Sequence, residues 1–146
     1  MSSHAGVFMS PLAPKLYPCL SYRDPAEAIR FLTKAFGFTE LLVVPDEKGG
    51  ITHAELAFGQ EVIMLGSAKP ELGWVSPLDL PARNGTVCLY VPEVDAQFAR
   101  AIAAGATQVR APYDTPYGAR ECSVRDPEQH EWHFGTYRPE PVTTSA

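Results

Sequence analysis

The sequence predicts an α+β fold made of two copies of one βαβββ unit. Three observations point there. The order strand, helix, strand, strand, strand occurs twice along the chain. The two helices end at glycines, Gly37 and Gly105, that lie 68 residues apart. The inward-facing helical residues Ile29 and Phe98 lie 69 apart. At 146 residues the chain suits one domain with one core, running 1–146. Its parts read as a first module over about 15–66, a connection over 67–84 and a second module over about 85–137.

The elements follow in order. The first dozen residues, with Pro11, read as a loose arm. Lys15 to Tyr22 is an apolar strand, and Pro18 inside it predicts a sheet edge, because proline cannot donate to a ladder. Asp24-Pro25 starts a helix, with Asp24 capping free amides and Pro25 at the first helical position. Ala28, Ile29, Leu32, Ala35 and Phe36 recur at helical spacing and form one apolar face. Gly37 ends it through its tolerance of positive φ. Phe38 to Val44 is apolar and β-branched, hence a strand, closed by the turn from Pro45 to Gly50. Ile51 to Phe58 and Glu61 to Leu65 form a hairpin hinged at Gly59-Gln60.

Ser67 to Asn84 carries Pro70, Pro77 and Pro81 and no period, with Trp74 in its middle. It reads as a long connection that either covers a site or is solvated with one tucked tryptophan. The pattern then restarts. Thr86 to Val91 is a strand, Val94 to Ala104 a helix and Thr107 to Arg110 a short strand. Arg120 to Val124 and Glu131 to Gly135 form a last hairpin around Asp126-Pro127-Glu128-Gln129. Pro139 to Ala146 reads as a frayed tail.

Composition excludes several function classes. The net charge of −5 and the absence of a lysine–arginine run argue against nucleic acid or an anionic membrane as partner. No apolar run approaches the roughly 18 residues of a membrane span, and Met1 to Pro14 lacks the pattern of a signal peptide. Cys19, Cys88 and Cys122 are odd in number, far apart and without a CxxC, as expected of reduced thiols in a cytoplasmic protein.

Several strings together are similar to one known family. They are Tyr22-Arg23-Asp24-Pro25-Ala26-Glu27-Ala28-Ile29-Arg30-Phe31-Leu32, Ala35-Phe36-Gly37-Phe38, His53-Ala54-Glu55-Leu56 and Ile63-Met64-Leu65. To these add Ala104-Gly105-Ala106, Tyr117-Gly118-Ala119-Arg120, and Asp126-Pro127 followed by His130-Glu131-Trp132. From about Lys15 to Tyr137 the chain resembles the glyoxalase / bleomycin resistance protein / extradiol dioxygenase (vicinal oxygen chelate) superfamily. The resemblance implies paired modules whose strands form a curled mixed sheet around a cavity, in a homodimer. In metal-dependent members it implies four cavity-facing metal positions, which spacing carries onto Tyr17, Glu55, Thr86 and His133. Tyrosine and threonine are poor ligands for zinc, nickel or iron, so a standard metal site is not expected.

Strand alternation groups the neighbours of these positions on one face. Tyr17 brings Cys19 and Ser21, Glu55 brings His53, Thr86 brings Cys88 and Tyr90, and His133 brings Glu131. Trp132 and Phe134 turn to the core. Arg120 and Cys122 are further candidates. The first functional expectation is metal-free binding of a small organic molecule, with Tyr17, Tyr90 and Trp74 as aromatic walls and His53, Glu55 and His133 orienting polar groups. The resemblance includes drug-sequestering proteins, and the acidic net charge would suit a cationic ligand. The alternative is a lyase or isomerase in which Glu55 and His133 act as acid and base and Arg120 stabilises developing negative charge. A variant of it has His53, Glu55 and His133 hold zinc or nickel. A third reading has the polar groups satisfy one another in a structural scaffold. His130 is expected to serve the Asp126-Pro127 turn rather than a ligand, and His4 to belong to the arm.

Overall fold

In the computed structural model, residues 9–142 are described. Two four-stranded sheets form, ordered β1-β4-β3-β2 and β5-β8-β7-β6. The first contains β1 (Cys19–Tyr22), β2 (Thr39–Pro45), β3 (Ile51–Phe58) and β4 (Glu61–Ser67). The second contains β5 (Val87–Tyr90), β6 (Thr107–Asp114), β7 (Arg120–Arg125) and β8 (Glu131–Gly135). In each, the first strand pairs parallel with the last, and the remaining pairs are antiparallel. This is the repeated βαβββ order that the sequence predicts.

Helix α1 (Pro25–Phe31) begins as expected: the Asp24 side chain accepts from the Glu27 amide, with Pro25 in the first turn. Its continuation, Leu32–Phe36, widens into a π-helical turn before Gly37 ends it at φ +91°. Helix α2 (Val94–Ala103) spans nearly the predicted range. Among the described residues no helix is long and apolar enough to cross a membrane.

Two strands and the connection differ from expectation. β1 starts only at Cys19, because Pro18 has no amide to give; it lies at a sheet edge, as predicted. β6 runs four residues further than predicted, to Asp114, and its register slips between Gln108 and Arg110 and again between Arg110 and Tyr113, across Pro112. The connection from 67 to 84 is not structureless. It contains 3-10 turns at Pro70–Leu72 and Pro77–Asp79, and a bridge in which the Lys69 and Trp74 amides each donate to the other's carbonyl, at 2.7 and 3.1 Å.

One core serves both modules. From the first come Tyr22, Leu32, Phe36, Leu56 and Leu65, from the second Cys122, Val124, Trp132 and Phe134, all fully or almost fully buried. The Phe36 ring meets Trp132 at 5.3 Å and Phe134 at 5.0 Å, so the end of the first helical segment packs on the second sheet. The helix-covered faces of both sheets are thereby buried. Their opposite faces stay open, with Leu42, Val44 and Tyr90 all exposed.

A polar latch reinforces this junction. Asp126, 1% exposed, accepts from the Tyr22 hydroxyl at 2.6 Å, from Trp132 Nε1 at 3.1 Å, and from the Glu128 and His130 amides at 3.0 Å each. Glu128 accepts from the Arg23 and Asp24 amides. His130 serves the turn, as expected: its Nε2 lies 2.9 Å from the Ser21 carbonyl oxygen and its ring 4.6 Å from Tyr22.

Candidate functional site

The open faces carry the expected polar residues, distributed over two separate sheets. Across the first sheet the register aligns Cys19, Met64, Glu55 and Leu42. Across the second it aligns Cys88, His133, Ser123 and Arg110. Each sheet has one histidine–carboxylate pair two residues apart on a strand. His53 Nε2 lies 2.7 Å from Glu55 Oε2, and His133 Nε2 lies 2.9 Å from Glu131 Oε2. All four are partly exposed. The hydrogen bond from His133, then the Arg125 guanidinium at 3.1 Å, hold the Glu131 carboxyl below the usual glutamate range.

Two cavities lie beside these faces. The larger, about 660 Å³, opens between the modules. Its walls are Cys19 to Ser21 of β1, Thr86 and Val87 at the start of β5, and His130-Glu131 at the start of β8. The connection roofs it through Trp74, Val75, Pro77, Leu80 and Arg83. This strap is held at its start and in its middle: Ala68 donates to the Tyr22 carbonyl, Ser76 and Pro77 are buried, and Arg23 pairs with Asp79. The smaller cavity, about 320 Å³, lies on the second sheet, lined by Cys88, Tyr90, Glu121, His133, Tyr137 and Arg138 among others. The Arg138 guanidinium sits 4.8 Å from the centre of the Tyr90 ring.

The expected residues are therefore divided. Trp74, Thr86, Cys19 and Glu131 line the larger cavity, and His133, Tyr90 and Cys88 the smaller. His53, Glu55 and Tyr17 line neither. Glu55 and His133 do not share a cavity within one chain, because the modules join through their helix-covered faces and leave the two open faces apart. His53, Glu55 and His133 accordingly form no metal cluster; among the described residues no three such groups converge to hold an ion. Arg120 is also placed elsewhere. Its guanidinium is occupied by Asp95, at 2.7 and 2.8 Å, and by Asp114 at 3.0 Å, so it ties α2 to the β6–β7 hairpin. Cys122 is a buried core thiol, raised to about 11 by burial. His4 lies outside the described residues.

Internal symmetry corrects one assignment further. Cys19 pairs with Met64 as Cys88 pairs with His133, so the counterpart of His133 in the first module is Met64 on β4. Glu55 stands one strand further in, and its counterpart is Ser123. A metal set taken from symmetric strands would then be Tyr17, Met64, Thr86 and His133. Those side chains offer one imidazole and no carboxylate, which does not fit a hard or borderline divalent ion. Sequence reasoning missed Arg83, which sits in a segment with no period to mark it.

The sequence matches the profile of the "Glyoxalase/Bleomycin resistance protein/Dioxygenase superfamily" over residues 16–134. The chain belongs to that superfamily. An uncharacterized protein of Mycobacterium bovis is 39% identical over 125 residues, covering 84% of this chain and 82% of its own. Among solved structures, TioX from Micromonospora sp. ML1 is similar with a TM-score of 0.67 and 33% identity, covering 90% of this chain and all of that one. The fosfomycin resistance protein FosX from Listeria monocytogenes, complexed with Mn(II) and sulfate, shares the fold, with a TM-score of 0.63 and 15% identity over 86% of this chain and 93% of that one. Superfamily membership accounts for the paired βαβββ sheets; it does not assign a reaction, because unrelated chemistries are grafted on one fold.

Proposed function

We propose that this superfamily member binds a small organic molecule, without a metal, in the cavity between its modules. The observation that carries this reading is the roofed space of about 660 Å³ with an indole in its lining. That volume is in the range of small-molecule sites, which pair mostly apolar walls with a few polar groups. Pro18, Leu20, Val75, Pro77, Leu80 and Val87 supply such walls. Trp74 is 56% exposed although it is a large aromatic on an anchored strap, which leaves its surface available to a ligand. The donor chemistry of Tyr17, Met64, Thr86 and His133 supports the metal-free part.

Lyase or isomerase chemistry by Glu55 and His133 is less well supported, since it needs both groups at one substrate. The Mn(II) of the FosX complex belongs to that protein, and 15% identity carries the fold alone.

The test is direct binding. A neutral two-ring probe, 2-naphthalenemethanol, is expected to quench tryptophan fluorescence saturably. Trp74→Ala is expected to weaken its binding, read by calorimetry, about tenfold. Unchanged affinity in that variant would remove the cavity from the reading.

The working form is proposed to be a cytoplasmic homodimer. Leu42 and Val44 stand exposed on the edge strand of the first sheet's open face, next to Glu55 and His53 of β3, and exposed apolar side chains at an edge strand are of the kind that partners cover. Three free thiols suit a reducing compartment. Light scattering is expected to give twice the 15.9 kDa of one chain, and Leu42→Glu to give the single-chain mass. A wild-type mass of one chain would refute the dimer.

A further inference from the structure

The net charge of −5 suggests a cationic ligand, yet the wall of the larger cavity carries the guanidinium of Arg83. The lining residues with a formal charge are Arg83 and Glu131. Glu131 is already compensated by Arg125 and His133. The arginine ion pairs among the described residues use Arg23, Arg30, Arg120 and Arg125, and Arg83 takes part in none of them. Arg83 is half-buried, so its guanidinium is only partly compensated by water. A second cation stands close by, with Lys69 Nζ 5.8 Å from the centre of the Trp74 ring. The two remaining acids of the connection do not cancel these charges inside the cavity. Asp79 is paired with Arg23, and Glu71 is exposed and does not line the cavity.

We infer that the inter-module cavity selects planar aromatic carboxylates, the ring stacking on Trp74 and the carboxylate pairing with Arg83. This rests on the binding reading above and adds the ligand's chemical class to it. The argument is one of geometry and charge. Arg83 and Trp74 lie on the same strap and line the same cavity; the Tyr22 carbonyl, the buried Ser76 and the Arg23–Asp79 pair hold the strap at Ala68 and from Ser76 to Asp79, and Arg83 follows four residues later. A planar ring in that cavity therefore has both an indole and a fork-shaped donor in the walls around it. Guanidinium matches a carboxylate with two parallel hydrogen bonds, and the match is stronger where water is partly excluded. Asn84, beside Arg83 in the lining, adds amide donors.

The experiment compares 2-naphthoate with 2-naphthalenemethanol, which have the same ring system and differ in charge. The full chain is expected to bind the carboxylate about tenfold more tightly, with the difference shrinking at high salt. Arg83→Gln is expected to bring the ratio of carboxylate to alcohol affinity to about one, with circular dichroism reporting that the variant is folded. Equal affinities of the wild type for the two probes, with both still dependent on Trp74, would overturn the carboxylate inference and leave the binding reading standing. A preference that survives Arg83→Gln would overturn the role of Arg83. Failure of both probes to bind would overturn the binding reading and this inference with it.

Discussion

Phe36→Ala is expected to lower the stability of the whole chain by roughly 4 kcal/mol, the range for removing a fully buried phenylalanine from a core. Phe36 is 0% exposed and meets Phe31 at 5.3 Å in its own module. In the other module it meets Trp132 and Phe134, both themselves fully buried. Deleting the ring opens a cavity at the point where the first helical segment rests on the second sheet. The rigid tryptophan and the sheet backbone behind it cannot collapse into that space, so both the transfer loss and the cavity loss should appear. Urea unfolding followed by circular dichroism and by tryptophan fluorescence checks this. Coincident shifts to lower midpoint by both probes are expected, because Trp132 belongs to the same cooperative unit. A loss under about 1 kcal/mol, or a shift in one probe alone, would contradict a shared core.

Asp126→Ala is expected to cost a similar amount, about 4 kcal/mol, by a different mechanism. The carboxylate gathers four donors, and two of them, the Tyr22 hydroxyl and the Trp132 indole, belong to side chains that are 1% and 0% exposed. Removing the acceptor leaves both donors buried without a partner and unlatches β1 from the β7–β8 turn. Asp126→Asn should fall in between, since its amide keeps one acceptor oxygen and turns N–H groups toward other donors. Burial raises the Asp126 carboxyl above the usual aspartate range, with the Tyr22 hydrogen bond and the nearby His130 pulling it back. A raised folded value means that the protonated form is favoured by folding. That contribution is full below the unfolded aspartate value and is lost as pH rises through the folded one. Asp126→Asn is therefore expected to remove this component of the pH–stability profile, measured as the urea midpoint against pH. An Asp126→Ala variant as stable as wild type would show that the latch contributes nothing.

Local signals were enough for most elements. Asp24-Pro25 at the helix start, Gly37 at its end and the alternation of Ile51 to Phe58 act within a few residues, so they can be read without knowing the fold. The turn role of His130 was legible for the same reason. Strand alternation also placed His53 with Glu55, and His133 with Glu131, because a period of two is a property of one strand. The relation between Glu55 and His133, which stand on separate sheets of the chain, was not legible in this way. That depended on which faces of the two modules turn toward each other, and no local pattern encodes it.

By itself, the sequence determined the repeated βαβββ order and the sharing of one strand face by His53 with Glu55 and by His133 with Glu131. Only the tertiary structure decided that the modules join back to back through Phe36, Trp132 and Asp126, that Met64 rather than Glu55 is the counterpart of His133, and that Arg83 enters the cavity. The physical reason is one of range. Capping, alternation and helical period are fixed by neighbours along the chain, whereas burial of two helix-covered faces in one core is a balance among residues up to a hundred positions apart.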